Sequence, residues 1–204
     1  MADVLKALAI AVLLAPISLP AAAAEVDPHA HHNHEMMQMK RATRSTAAYA
    51  LPRVSLVRED GRSVSLPEEL DDGRPVAVNF IFTTCATICP LTSQIFSQLQ
   101  GKLGSDRDKV QMASISIDPE QDTPVRLAAY ARRYKAGPQW RFYTGTPQAS
   151  VAVQRAFNAY RGDKMNHTPV TFLRAGRGQQ WVRIEGFATA DELAAELRGL
   201  IAAQ

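Results

Sequence analysis

The only two cysteines of this 204-residue chain lie in Thr84-Cys85-Ala86-Thr87-Ile88-Cys89-Pro90, with three residues between them and a proline directly after. Thiolates at such spacing act as metal ligands, nucleophiles or a redox pair. Proline favours the first position of a helix and pushes the residue before it out of helical backbone angles. The motif therefore predicts Cys89 at a helix N-cap and Cys85 in the preceding loop, with the unpaired N–H groups of the helix start lowering the pKa of Cys89. Soft sulfur donors suit Cu(I), and one added imidazole makes a set that also tolerates Cu(II). A structural zinc site closes with four ligands, and the folded part of this chain offers three. The candidate imidazole is His167, 78 residues beyond Cys89. Spacing alone leaves it either a third ligand or an ordinary loop histidine. A purely structural disulfide would close only a five-residue loop, which restricts the unfolded chain little.

The elements that must bring these residues together follow from hydrophobic periodicity. Val54 to Val57 and Arg62 to Leu66 alternate around Glu59-Asp60-Gly61 and predict a hairpin. Pro75 to Thr83 is a nearly continuous apolar run, as expected of a strand buried on both faces, and it leads straight into Cys85. Leu91, Ile95, Phe96, Leu99 and Leu103 recur at helical spacing before Gly104. A second buried strand spans Val110 to Ile117, and Asp122 or Thr123 can cap a helix opening at Pro124. A strand from Trp140 to Tyr143, a helix around Val151 to Tyr160, strands at Val170 to Leu173 and Trp181 to Ile184, and a helix from Asp191 to Ile201 complete the chain. An initial hairpin, two βα units and a closing hairpin with a helix describe an α/β, thioredoxin-like fold, a central mixed sheet flanked by helices. In such a sheet the loop entering the strand at Pro169 lies beside the cysteine loop, which puts His167 within reach of both thiols; the same analogy predicts a cis Thr168–Pro169 bond.

The N-terminal residues carry their own chemistry. An apolar run from Ala7, prolines at 16 and 20 and four alanines ending at Ala24 read as a cleaved signal peptide over residues 1–24, which puts the mature protein outside the cytoplasm. Residues 25–50 show no periodicity and read as a disordered tail. It holds His29, His31, His32, His34, Met36, Met37 and Met39, imidazole and thioether donors placed to collect copper. Residues 51–204 form the folded domain. The net charge of +3 is scattered without a basic block, which excludes a nucleic-acid groove. Membrane association follows only if the signal is uncleaved.

From about Val54 to the last helix the chain resembles the Sco/SenC family. Phe80-Ile81-Phe82-Thr83-Thr84-Cys85-Ala86-Thr87-Ile88-Cys89-Pro90 is similar to the family's copper loop, Ser116-Ile117-Asp118-Pro119-Glu120-Gln121-Asp122-Thr123-Pro124 to its second signature, and His167-Thr168 to its ligand histidine. The resemblance implies a Cys85, Cys89, His167 site for one copper ion, Cu(I) or Cu(II), with Asp118 in a supporting role or ordering its own loop. It implies a periplasmic metallochaperone that delivers copper to the dinuclear copper centre of cytochrome c oxidase, or reduces that centre's cysteines; the partner is then a copper-receiving oxidase subunit. The chain departs from the family's habits in lacking an evident membrane anchor, in Ala86 where proline is common, and in Asn166 where aspartate is common. The competing function is a thiol-disulfide oxidoreductase acting through Cys85 and Cys89, although thioredoxin-type enzymes place two residues between their cysteines rather than three. The Pro-x-x-x-Thr-x-x-Cys pattern of peroxidatic cysteines is absent: Phe82 and Ala86 occupy its threonine positions.

Overall fold

The computed structural model describes residues 42–203; the signal peptide and the His/Met-rich segment read from the sequence lie outside them. In chain order the elements are β1 (Thr43–Ala47), β2 (Ser55–Arg58), β3 (Ser63–Ser65), α1 (Leu66–Leu70), β4 (Val76–Ile81), α2 (Ile88–Leu103), a 3-10 turn (Gly104–Lys109), β5 (Gln111–Ser116), α3 (Pro124–Arg133), β6 (Trp140–Thr144), α4 (Pro147–Ala156), a second 3-10 turn (Lys164–Asn166), β7 (Val170–Arg174), β8 (Trp181–Glu185) and α5 (Ala190–Ala202). The strands form one mixed sheet in the order β1-β8-β7-β4-β5-β6-β2-β3. Strands β4, β5 and β6 run parallel, while β7, β8 and the outer strands pair antiparallel.

Every residue of β4 and β5 is buried, because helices cover both faces. Ala77 and Ile81 of β4 join Phe96 and Leu99 of α2, Leu127 of α3 and Leu193 and Leu197 of α5 in one core. Val76, Val78 and Phe80 point the other way, toward Leu66 and Leu70 of α1 and Val153 of α4. Helix α3 starts as its sequence dictates, with Thr123 Oγ1 accepting from the Arg126 N–H and Pro124 in the first turn. Helix α2 stops at Gly104, whose φ of 56° suits glycine and whose N–H returns to the Gly101 carbonyl.

Three local expectations change. Thr43–Ala47, within the stretch read as tail, is a strand paired along β8 from Thr43–Glu185 to Ala47–Trp181; the free edge of β8 recruits a segment with no alternation of its own. Leu66 does not extend the hairpin but starts α1, which buries Leu66 and Leu70 one turn apart. The Thr168–Pro169 peptide is trans, the form an X-Pro bond prefers by about 0.5–1 kcal/mol when nothing enforces the other.

A chain shortened to begin at Leu51 would lose the β1 ladder and the 2.8 Å ion pair from Arg44 Nε to Glu196 Oε1. It should be less stable by about 1–3 kcal/mol, the net worth of a few hydrogen bonds, in denaturant unfolding against a chain that begins at Ala42. Equal stability would show that β1 contributes nothing.

Candidate metal and thiol site

The site lies where β4 ends and the chain must turn back into α2. Helix α2 begins at Ile88 with Thr87 as its N-cap, and Thr87 makes no side-chain cap. Cys89 is thus the second residue of the helix rather than its cap, and Pro90 is the third. A missing N–H costs nothing in the first helical turn, where those donors have no intrahelical partner. The capping role falls to sulfur: the Cys89 N–H donates to Cys85 Sγ at 3.4 Å. Both cysteines are free thiols, Cys85 partly exposed and Cys89 buried.

This arrangement inverts the roles expected of the two thiols. Burial works against a thiolate at Cys85, but the N–H groups of Cys89 and Thr87 outweigh it, and its pKa falls below the ordinary thiol value. Burial dominates at Cys89, and the neighbouring Cys85 and Asp122 add to it; the N–H of Phe82, which donates to its sulfur at 3.4 Å, opposes them only in part. The Cys89 thiol is pushed far up. The expectation of a lowered pKa at Cys89 is therefore corrected: the helix start acts on Cys85, and Cys89 turns inward to the core.

His167 follows the second 3-10 turn and is buried, with Nε2 lacking a hydrogen-bond partner. The ring is hydrogen-bonded to the Phe80 carbonyl, so by elimination Nδ1 carries the proton and Nε2 keeps a free lone pair. Burial is the main cause that brings its pKa down to about 4, which leaves the imidazole neutral above that pH. Ile117 N–H bonds the Ile81 carbonyl on the β5 side of β4. Successive peptides alternate in direction, so the Phe80 carbonyl that holds His167 and the Phe82 N–H that meets Cys89 both face away from β5. Histidine and inner cysteine thus attach to the same edge of one strand. Among the described residues, no three His, Cys, Asp or Glu side chains are grouped closely enough to hold a metal ion; the two sulfurs are adjacent and the imidazole stands apart.

Two residues matter more here than the sequence suggested. Asp122, expected only as a possible cap, is fully buried. It accepts from the Thr83 N–H at 3.1 Å, Thr83 Oγ1 at 2.5 Å and Ser116 Oγ at 2.5 Å, joining the cysteine loop to the end of β5. The signal was present: Thr123 suffices as the α3 cap, which leaves the neighbouring acid free for another task. Lys164 pairs with Asp118 at 2.6 Å, a contact across 46 residues that no local pattern announces. A cavity of about 650 Å³ between β8 and α5 contains none of these residues.

A family model described as SCO1/SenC matches residues 42–202. The chain belongs to the SCO1/SenC family. Among SCO1/SenC relatives, a SCO1 protein homolog of Bacillus subtilis is 36% identical over 104 residues, 50% of this chain and 53% of that protein; the chain thus spans about half the length of that relative. Among solved structures, Bradyrhizobium japonicum ScoI with copper bound is 26% identical with a TM-score of 0.62, covering 74% of this chain and 100% of that one. A structure of BsSco, reported as a disulfide switch in a member of the Sco family of cytochrome c oxidase assembly proteins, is 27% identical with a TM-score of 0.65, covering 78% and 98%. Among the described residues no helix is long and apolar enough to cross a membrane.

The inverted thiols make a direct prediction. Alkylation with iodoacetamide should label Cys85 first, and at a pH below that of a free thiol, because the thiolate reacts and its pKa is lowered. Cys89 should react at least about ten-fold more slowly until the protein unfolds. Fragment mass spectrometry reads the order of labelling, and equal labelling of both would contradict the assignment.

Proposed function

We propose that this protein is a copper metallochaperone working in the periplasm, with Cys85, Cys89 and His167 as ligands and copper as its cargo. One observation carries the reading: a buried imidazole nitrogen without a partner and a pair of free thiols are held on the same strand end. An orphaned buried acceptor is costly, and a ring held through its other nitrogen by a backbone carbonyl is the usual arrangement of a metal-ligating histidine. The donor types fit both copper oxidation states: thiolates hold Cu(I), and added nitrogen favours Cu(II). Because the imidazole stands apart from the sulfurs, binding requires a shift of the loops. The copper-bound ScoI and the oxidase-assembly family named for BsSco support delivery to the dinuclear copper centre of cytochrome c oxidase, with a copper-receiving oxidase subunit as partner. The apolar, alanine-rich residues 1–24 support export by a cleaved signal peptide, and the histidines and methionines that follow support a weaker copper-collecting tail.

The thiol asymmetry supports a second use of the same pair, reduction of a client disulfide. The Cys85 thiolate attacks one client sulfur and releases the other as a thiolate. Cys89 then gives its proton to the released client thiolate and attacks Cys85 in the mixed disulfide, freeing the second client thiolate and leaving a Cys85–Cys89 disulfide. Two electrons pass to the client.

His167→Ala separates the two uses. It should lose the thiolate-to-Cu(II) charge-transfer absorption, keep weakened Cu(I) binding, and reduce a model disulfide within about two- to three-fold of the parent rate, since exchange needs thiolate and access rather than a third ligand. Full Cu(II) absorption in the variant would remove His167 from the site. A protein that takes up no copper when loaded anaerobically would leave only the oxidoreductase.

A further inference from the structure

We propose that Lys164 is a positioning residue for His167, holding the histidine's loop against the cysteine loop through the Asp118 carboxylate. The inference rests on the copper reading above and adds to it the residue that sets the third ligand's place.

The loop leading to His167 is anchored near α4, where the Ala159 N–H donates to the Gln154 carbonyl at 2.7 Å and Arg183 bonds the Phe157 carbonyl, and it carries fewer such ties further on. It leaves α4 through Asn158 at φ 50° and turns at Gly162 at φ 78°, a region glycine enters without steric penalty. Its second 3-10 turn is closed locally: Asp163 Oδ1 accepts from the Met165 N–H at 2.8 Å, and the Lys164 carbonyl accepts from the His167 N–H at 3.1 Å. These bonds shape the turn, and the Phe80 carbonyl holds the imidazole that follows it, but neither ties the turn itself to the cysteine side of the sheet. Lys164 does. Its Nζ meets Asp118 Oδ2 at 2.6 Å and lies 5.7 Å from the centre of the Phe82 ring, and Phe82 is the residue whose N–H bonds Cys89 Sγ.

The pair also closes a continuous chain of contacts. The Asp118 N–H donates to Ser116 Oγ at 3.0 Å, Ser116 Oγ donates to Asp122, and Asp122 accepts from Thr83 two residues before Cys85. Thr83, Asp122, Ser116, Asp118 and Lys164 thus link the cysteine loop, the end of β5 and the histidine loop. A solvent-exposed ion pair would contribute little; here Lys164 is 37% exposed, but the Asp118 side chain it meets is only 7% exposed, so the carboxylate has little water of its own.

The test compares Lys164→Leu, which keeps an apolar stem over Phe82 without adding a ligand, with Lys164→Arg, which restores the charge. In the metal-free full chain, amide exchange at Asn166 and His167 should speed up at least about ten-fold in the leucine variant and return toward the parent rate in the arginine variant. Cu(II) affinity, followed by the thiolate charge-transfer band that the tail cannot produce, should fall about 10- to 100-fold in Lys164→Leu. Cu(I) affinity should stay within about three-fold because the thiolates carry it. Unchanged exchange, or Cu(I) and Cu(II) affinities falling together, would overturn the proposal while sparing the copper reading. A parent protein that binds no copper would defeat both, and that failure is visible before any variant is made.

Discussion

A carboxylate buried at the end of a sheet must be met by donors, because water is not there to solvate it. Asp122 is fully buried and is met by Thr83 through both its N–H and its hydroxyl, and by Ser116 through its hydroxyl. Those contacts decide where the chain goes when it leaves β4. With Thr83 tied to the end of β5, the next residues have a fixed departure point, and Cys85 falls beside the first turn of α2. On the far side of α2, Tyr130 of α3 meets Ser93 Oγ at 2.9 Å and donates to the Cys89 carbonyl at 3.3 Å. The cysteine loop is held at both ends by buried polar contacts, and its middle is left exposed.

That support gives the two chemically identical thiols different properties. Cys85 sits where the helix start offers an N–H and solvent offers access, so the charged form is favoured. Cys89, two residues into the helix, faces the core with Phe96 and Leu99, and loss of solvation outweighs the single N–H that reaches it. His167 is treated in a third way: burial keeps it neutral, and the Phe80 carbonyl occupies one nitrogen while leaving the other free. A partly exposed thiolate can meet a partner first, while a buried thiol and a buried neutral imidazole wait behind it. Under the proposed function the same order would serve an incoming metal ion and an incoming disulfide.

Much of this was legible in the amino-acid sequence. Continuous apolar runs located β4 and β5, helical spacing located α2, and Thr123-Pro124 and Gly104 marked ends that the structure places as expected. The misses share a cause, which is that tertiary contact overrode a local signal. Thr43–Ala47 carries no alternating pattern and is a strand because β8 has an edge to fill. Pro90 marks the first residue of its helix by sequence, yet the first turn tolerates proline at its third position as well, so α2 begins earlier and Cys89 changes environment. The sign of its pKa shift depended on which way one side chain turned, and no periodicity encodes that. Lys164 and Asp118 are far apart in the chain, and only the fold makes them neighbours.

The central claim is that one copper ion is held by the two cysteine sulfurs and the His167 imidazole. Copper X-ray absorption on the full chain loaded with a single equivalent of Cu(II) tests it most directly, since the fine structure distinguishes sulfur from nitrogen and recognises imidazole by its outer-ring scattering. The account predicts two sulfur scatterers and one imidazole, with one sulfur lost in Cys85→Ser and the sulfur shell lost in His167→Ala, where Cu(II) is left to the imidazoles of residues 29–34. A first shell of nitrogen and oxygen alone, unchanged by either substitution, would place the metal elsewhere and contradict it.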